Sequence, residues 1–138
     1  MAAKEGRLQS ECVHWYRNIW YQNPKALWAT FNEGANVGGK ISLGLQPGVP
    51  DLLLYERGGR GLMGIEMKAP GESHGVAHGL RQCQFILDVC DTGGFCDSLE
   101  DFKKIIAGTS SGFAPSKVID YLYTVKAKSF TWDSSKFI

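Results

Sequence analysis

The strongest constraint on this chain is a pair of short apolar segments, each carrying acids where a strand would present them at one end of a sheet. Gly48-Val-Pro-Asp51-Leu-Leu-Leu-Tyr55 is followed by Ile65-Glu66-Met-Lys68, with Glu66 fifteen residues after Asp51. Pro50 has no N–H to give a ladder, so it marks the start of the first strand. Glu66 and Lys68 are two apart and share one face of the second strand. The glycine-rich stretch Glu56-Arg-Gly-Gly-Arg-Gly61 suits the turn of a hairpin. A hairpin over 51–68 brings Asp51, Glu66 and Lys68 together. Two carboxylates and an amine in otherwise apolar strands fit a hard-cation site with a proton-handling group beside it.

At 138 residues and 43% hydrophobic content, the chain suits one α/β domain with its own core, spanning 1–138. No run of about 18 apolar residues is present, so no membrane span is expected. Met1-Ala-Ala-Lys-Glu-Gly-Arg7 lacks the apolar centre of a secretory signal, and the four cysteines (Cys12, Cys83, Cys90, Cys96) form no CxxC pair. Reduced thiols in a cytoplasmic, intracellular setting are the expectation. The net charge of +1 conceals an uneven distribution. Residues 32–100 carry five Lys/Arg against nine acids, while residues 1–31 carry four against two and 101–138 six against three. Basic flanks around an acidic centre suit a nucleic-acid enzyme, and equally a plain solvated surface.

The periodicity predicts an amphipathic helix over 5–21, with Leu8, Cys12, Trp15, Tyr16 and Ile19 on its core face and Asn23-Pro24 after it. A strand over 26–31 and a glycine-rich loop over 32–39 follow, with Trp15, Trp20, Trp28 and Phe31 read as core. Residues 69–79 read as a polar mobile loop, and 80–92 as a helix facing the core through Cys83, Ile86, Leu87 and Cys90, ended by Gly93-Gly94. A short strand over 95–97 comes next, then a helix N-capped by Ser98, with Glu100 and Asp101 in its first turn ahead of Phe102–Ala107. Val118–Val125 fits helix or strand. The order is α-β-β-β-α-(β)-α, a small central mixed sheet flanked by helices.

Several ordered stretches resemble one nuclease family. The arrangement PD…ExK resembles the PD-(D/E)xK nucleases, and the chain is similar more narrowly to the VRR-NUC (virus-type replication-repair nuclease) domain. The likeness rests on Glu5-Gly-Arg-Leu-Gln9 leading to Trp15-Tyr16, on Asn32-Glu33-Gly34, on the two central strands, and on Gln82-Cys-Gln-Phe85 leading to Gly93-Gly94-Phe95. It runs from about residue 5 to residue 106. A lone ExK is weak; the ordered set is specific.

The resemblance implies a restriction-endonuclease-like core and a Mg²⁺- or Mn²⁺-dependent DNA endonuclease of viral or mobile-element character. It would act on branched DNA (flaps, junctions) and leave a 5′-phosphate and a 3′-hydroxyl. By the same resemblance Asp51, Glu66, the Met67 carbonyl and Glu5, directly or through water, would hold the metal. Lys68 would orient or deprotonate water, and Gln82 would position Lys68 or the phosphate. Glu5 and Gln9 are i, i+4 and share a helix face. Glu11 competes with Glu5, and Gln84 with Gln82; the spacings to Gln9, Trp15 and Phe85 favour Glu5 and Gln82. Cutting both strands of a symmetric junction would call for a two-fold homodimer. The alternatives are a nuclease of the same superfamily acting on linear duplex, and a non-catalytic DNA-binding protein. His74 and His78 precede Cys83 and Cys90, but their spacing misses the paired-ligand patterns of structural zinc. They sit beside the Glu66/Lys68 end, where contact with phosphate is the alternative. Gly38-Gly39-Lys40 lacks the rest of a phosphate loop.

Overall fold

A computed structural model of the chain describes residues 3–20, 22–30 and 46–138. The glycine-rich loop 32–39, Lys40 and Phe31 lie outside the described residues. The elements are α1 (Ala3–Trp15), β1 (Leu27–Ala29), β2 (Leu52–Glu56), β3 (Gly61–Met67), β4 (Ser73–Gly75), α2 (Val76–Val89), β5 (Thr92–Cys96), α3 (Leu99–Ala107), α4 (Pro115–Leu122) and β6 (Ser129–Thr131). This is a mixed α/β fold. Its main sheet has the order β1-β2-β3-β5, antiparallel except for the parallel β3–β5 pair, and β4 and β6 form a two-stranded sheet of their own. Among the described residues no helix is long and apolar enough to cross a membrane.

The alternation of β2 and β3 divides the sheet into two unlike faces. Leu52, Leu54, Met63, Ile65 and Met67 turn to one side, where Cys12 of α1, Tyr16 just after it and Phe102, Ile105 and Ile106 of α3 close an apolar cluster. The residues between them, Gly64 and Glu66, belong to the other face, with Lys68 next in the alternation. On that side Cys83 and Ile86 of α2 join Phe95, Val118, Leu122, Phe130 and Trp132 in a second cluster. Gly64 lets α2 approach: a Cβ there would sit 2.8 Å from Pro50 Cγ and 2.9 Å from Cys90 Sγ.

The expected hairpin forms, with Leu52 opposite Ile65 and Glu56 opposite Gly61. Ser98 caps α3 by accepting from the Asp101 N–H at 3.0 Å. Other expectations need correction. The first helix is α-helical only to Trp15 and continues as a π-helical turn over Tyr16–Trp20, so Ile19 leaves the core face and is 70% exposed. Trp15 and Trp20 pack against the core, but Trp28 is 41% exposed on an edge strand.

The segment 69–79 is not simply a loop. Ser73–Gly75 pairs with Ser129–Thr131, and α2 begins at Val76, four residues before its expected start. Gly79 sits inside that helix where α4 and β6 come close: a Cβ would meet Leu122 Cδ1 at 2.9 Å and Phe130 Cε1 at 3.3 Å. Packing there outweighs glycine's poor helix propensity. The helix ends at Val89 with Cys90 extended, and Gly93-Gly94 lies within β5 rather than ending α2. Leu87 is 47% exposed and off the core face. Val118–Val125 resolves as helix through Leu122, its apolar side closing the second cluster.

Candidate active site

Asp51 enters β2 from a turn held by Gly48, whose φ of +90° suits glycine and whose missing Cβ leaves room against the Arg81 carbonyl. Extending the β2–β3 register by one pair places Asp51 opposite Glu66. Backbone N–H groups anchor both carboxylates. The Asp51 N–H donates to Glu66 Oε2 at 3.2 Å, and the Met67 N–H donates to Asp51 Oδ2 at 2.9 Å. Both carboxylates are thereby fixed side by side on the α2 face of the sheet.

Lys68 places Nζ 3.8 Å from Glu66 Oε1, with both side chains almost wholly buried. Its backbone N–H donates to the Cys96 carbonyl at 2.9 Å, which continues the β3–β5 pairing past Met67 and orients the residue. From α2, Gln82 donates through Nε2 to Glu66 Oε1 at 2.7 Å, and the same amide lies 3.1 Å from His78 Nε2. Gln82 is buried; its Oε1 has no hydrogen-bond partner.

Glu5 arrives from α1 and is 6% exposed. The Ala69 N–H donates toward its carboxylate, and Lys68 and Asp51 lie within electrostatic reach. Glu5 Oε1 is 3.0 Å from His74 Nε2, yet neither atom makes a hydrogen bond.

The structure places the competing residues differently. Glu11 is exposed while Glu5 is buried at the site. Gln84 is exposed and donates to Asp88 at 2.9 Å, whereas Gln82 reaches Glu66. Among the described residues no three His, Cys, Asp or Glu side chains form a group that could hold a metal ion. Glu5 therefore does not extend the Asp51–Glu66 pair into a three-carboxylate cage. Instead it faces His74 at 3.0 Å.

The electrostatics follow from burial. Burial, first, and the neighbouring Asp51 charge push the Glu66 carboxyl well above the usual carboxylate range, against the pull of Lys68. Glu5 is raised chiefly by burial, with Lys68 opposing and Asp51 adding to the rise. Burial, with Lys68 and His78 behind it, lowers His74 to about 4, so the ring is neutral near pH 7. His78 is lowered by burial and by the charges of Lys68 and Arg81. A buried carboxylate pair of this kind is short of positive charge. A divalent cation suits it, and Mg²⁺ commonly takes only one or two protein carboxylates.

Neither a protein-family model, nor a curated protein, nor a solved structure matches the chain.

His74 and His78 are the site residues whose placement the sequence left open. The signal for His78 was its i, i+4 spacing to Gln82, legible only once α2 is known to begin at Val76. His74 had no local signal, because its place depends on the pairing of β4 with β6, whose Phe130 is its partner in register.

Proposed function

We propose that this chain is a metal-dependent nuclease domain of the PD-(D/E)xK type, in its VRR-NUC form, hydrolysing phosphodiester bonds in branched DNA. The observation that carries the reading is the pair of carboxylates anchored by the Asp51 and Met67 N–H groups, with the Lys68 amine 3.8 Å from Glu66 on the same face. The order α1-β1-β2-β3-α2-β5 around a mixed sheet supports it, as does the seating of Gln82 against Glu66.

Asp51, Glu66 and the Met67 carbonyl would hold Mg²⁺ or Mn²⁺. When bound, the cation supplies Lewis acidity toward water and the phosphate oxygens. Asp51 and Glu66 keep their carboxylates fixed through backbone donors, so the acidic pair needs no rearrangement to act. Lys68 Nζ would orient the attacking water as the ammonium or, as the neutral amine, take its proton, and the same group could contact the phosphate. Gln82 Nε2 fixes Glu66 Oε1, leaving its unpartnered Oε1 as an acceptor for a water or for Lys68. The water oxygen adds to phosphorus as the bond to the 3′ oxygen breaks, giving a 5′-phosphate and a 3′-hydroxyl. A two-fold homodimer would place two such sites on the two strands of a junction; sedimentation at micromolar concentration reads that directly.

The test is cleavage of labelled flap, four-way junction, single-stranded and linear duplex DNA with Mg²⁺ or Mn²⁺. Metal-dependent cutting of the branched substrates, abolished by Lys68→Ala and Asp51→Asn, is the expected result. Preferential cutting of linear duplex at one recurrent sequence would instead indicate a sequence-reading nuclease. Tight DNA binding without any cutting would leave a binding module.

A further inference from the structure

The sheet face that carries the acids is covered unevenly. Over β3 helix α2 closes down, with Ile86 Cγ1 3.4 Å from where a Cβ on Gly64 would stand. Over β1 and β2 two large rings on that face meet water. Alternation along β2 puts Leu53 and Tyr55 on the side of Asp51. Trp28 stands opposite Leu53 and Leu62 opposite Tyr55, so all four share one stripe with the acid pair. Trp28 is 41% and Tyr55 47% exposed, and neither side chain has a hydrogen-bond or ring partner among the described residues. Leu53 and Leu62 are half-buried and belong to neither core cluster. Rings placed so add little to the fold, and an apolar patch in line with a reacting centre marks a binding surface.

We infer that Trp28 and Tyr55 form a stacking platform for the unpaired bases of a DNA strand whose phosphate lies at Asp51 and Glu66. The two aromatic residues are diagonal neighbours on an antiparallel pair, about 7 Å apart. That is roughly two base steps of about 3.4 Å. Along β2, Leu53 (with Trp28 beside it) and Tyr55 lie about 7 and 13 Å from Asp51, so the stacked bases are roughly two to four nucleotides from the scissile phosphate. Cations bracket the stripe. Exposed Arg57 follows Tyr55 at the hairpin turn, and exposed Arg81 of α2 stands beside the Gly48 turn that leads into Asp51. Single strands are held in this manner, phosphates to cations and bases to rings on adjacent strands of a sheet. A duplex keeps its base faces inside its own stack and offers the rings nothing. The platform deepens the nuclease reading by naming an unpaired strand as what the site takes, and depends on that reading only for the place of the scissile phosphate.

The experiment titrates a short labelled oligo(dT), beside a blunt duplex, with the full chain in chelator so that nothing is cut. Wild type is expected to bind the single strand with quenching of its tryptophan emission. Trp28→Ala and Tyr55→Ala should each weaken that binding about tenfold and leave duplex affinity unchanged. Trp28→Phe keeps a ring, so it should retain most of the affinity while losing the quenching. Unchanged single-strand affinity in both folded alanine variants overturns the platform, as does quenching that survives Trp28→Phe. Equal weakening of duplex binding also overturns it, since paired bases cannot stack there. A wild-type dimer that Trp28→Ala converts to monomer in sedimentation would assign the stripe to a second copy of the chain instead. Wild type that shows the stacking pattern but never cuts DNA removes the nuclease reading alone; wild type that cuts branched DNA without the pattern removes the platform alone.

Discussion

The two ends of the β2–β3 hairpin each set a glutamate beside a cation, and they come out opposite. At the turn, Arg60 lies four residues from Glu56 and grips it twice, Nε donating to Oε1 at 2.6 Å and Nη2 to Oε2 at 3.0 Å. The same guanidinium donates through Nη1 to the Ile105 carbonyl at 2.6 Å, tying the hairpin to the end of α3. These hydrogen bonds hold the Glu56 carboxyl below its usual range. At the other end, Glu66 meets Lys68 only at 3.8 Å, in a buried setting shared with a second acid, and its carboxyl is pushed up. The turn end is electrostatically complete and serves the fold. The Asp51–Glu66 end keeps a buried carboxyl raised above its usual range, the kind of perturbed group that clusters at functional sites.

Six substitutions would break or sharpen that contrast. Lys68→Ala or Asp51→Asn should slow metal-dependent cleavage about a thousandfold, a loss of about 4 kcal/mol at the transition state. Circular dichroism should show an unchanged fold, and cleavage within tenfold of wild type would refute the assignment. Arg60→Ala acts on stability instead. It removes a forked ion pair and the links to α3, and should lower unfolding free energy by about 2 kcal/mol, discounted for partial exposure. Cleavage by the folded variant should persist; a comparable loss of activity would erase the distinction between the two ends.

Glu66→Gln should stabilise the metal-free protein at neutral pH by about 1 kcal/mol while abolishing cleavage. The sign follows from the raised carboxyl. The native state binds that proton more tightly than the unfolded chain, so this residue's contribution is most favourable at low pH. It declines as pH rises from the ordinary carboxylate value through the elevated native one. Urea unfolding across that range should show the decline in wild type and a flatter profile in the variant; a steeper one would be the wrong sign. The smallest effect belongs to Gln84→Ala, an exposed change worth less than about 0.5 kcal/mol with cleavage intact. Gln82→Ala should weaken cleavage instead, since it frees Glu66 Oε1. Equal kinetics for the two variants would remove Gln82 from the site.

The hairpin and the convergence of Asp51, Glu66 and Lys68 were legible because they depend on short-range alternation and one turn. The preference for Glu5 over Glu11 was legible only from spacing, and the structure buries Glu5 while leaving Glu11 exposed. Residues 69–79 misled for a physical reason. Glycine and polar side chains mark a loop when judged locally, but Gly75 ends a strand paired with 129–131 and Gly79 admits Leu122 and Phe130. Gly93-Gly94 misled in the same way: the pair serves the parallel contact of β5 with Gly64 and Ile65, not the end of a helix. Ile19 fell off the core face because the π turn shifts the helical phase after Trp15.

By itself the sequence determined the mixed α/β class, the central hairpin and the row of acids with its lysine, since periodicity two and a glycine-rich turn act over a few residues. Only the tertiary structure decided that α2 starts early enough to set His78 on Gln82, that β4 brings His74 to Glu5, and that one hairpin end is neutralised and the other is not. Those outcomes depend on burial and on contacts between segments as much as 69 residues apart, such as Glu5 and His74. Solvent exclusion and charge pairing are properties of the packed chain, and no local pattern carries them.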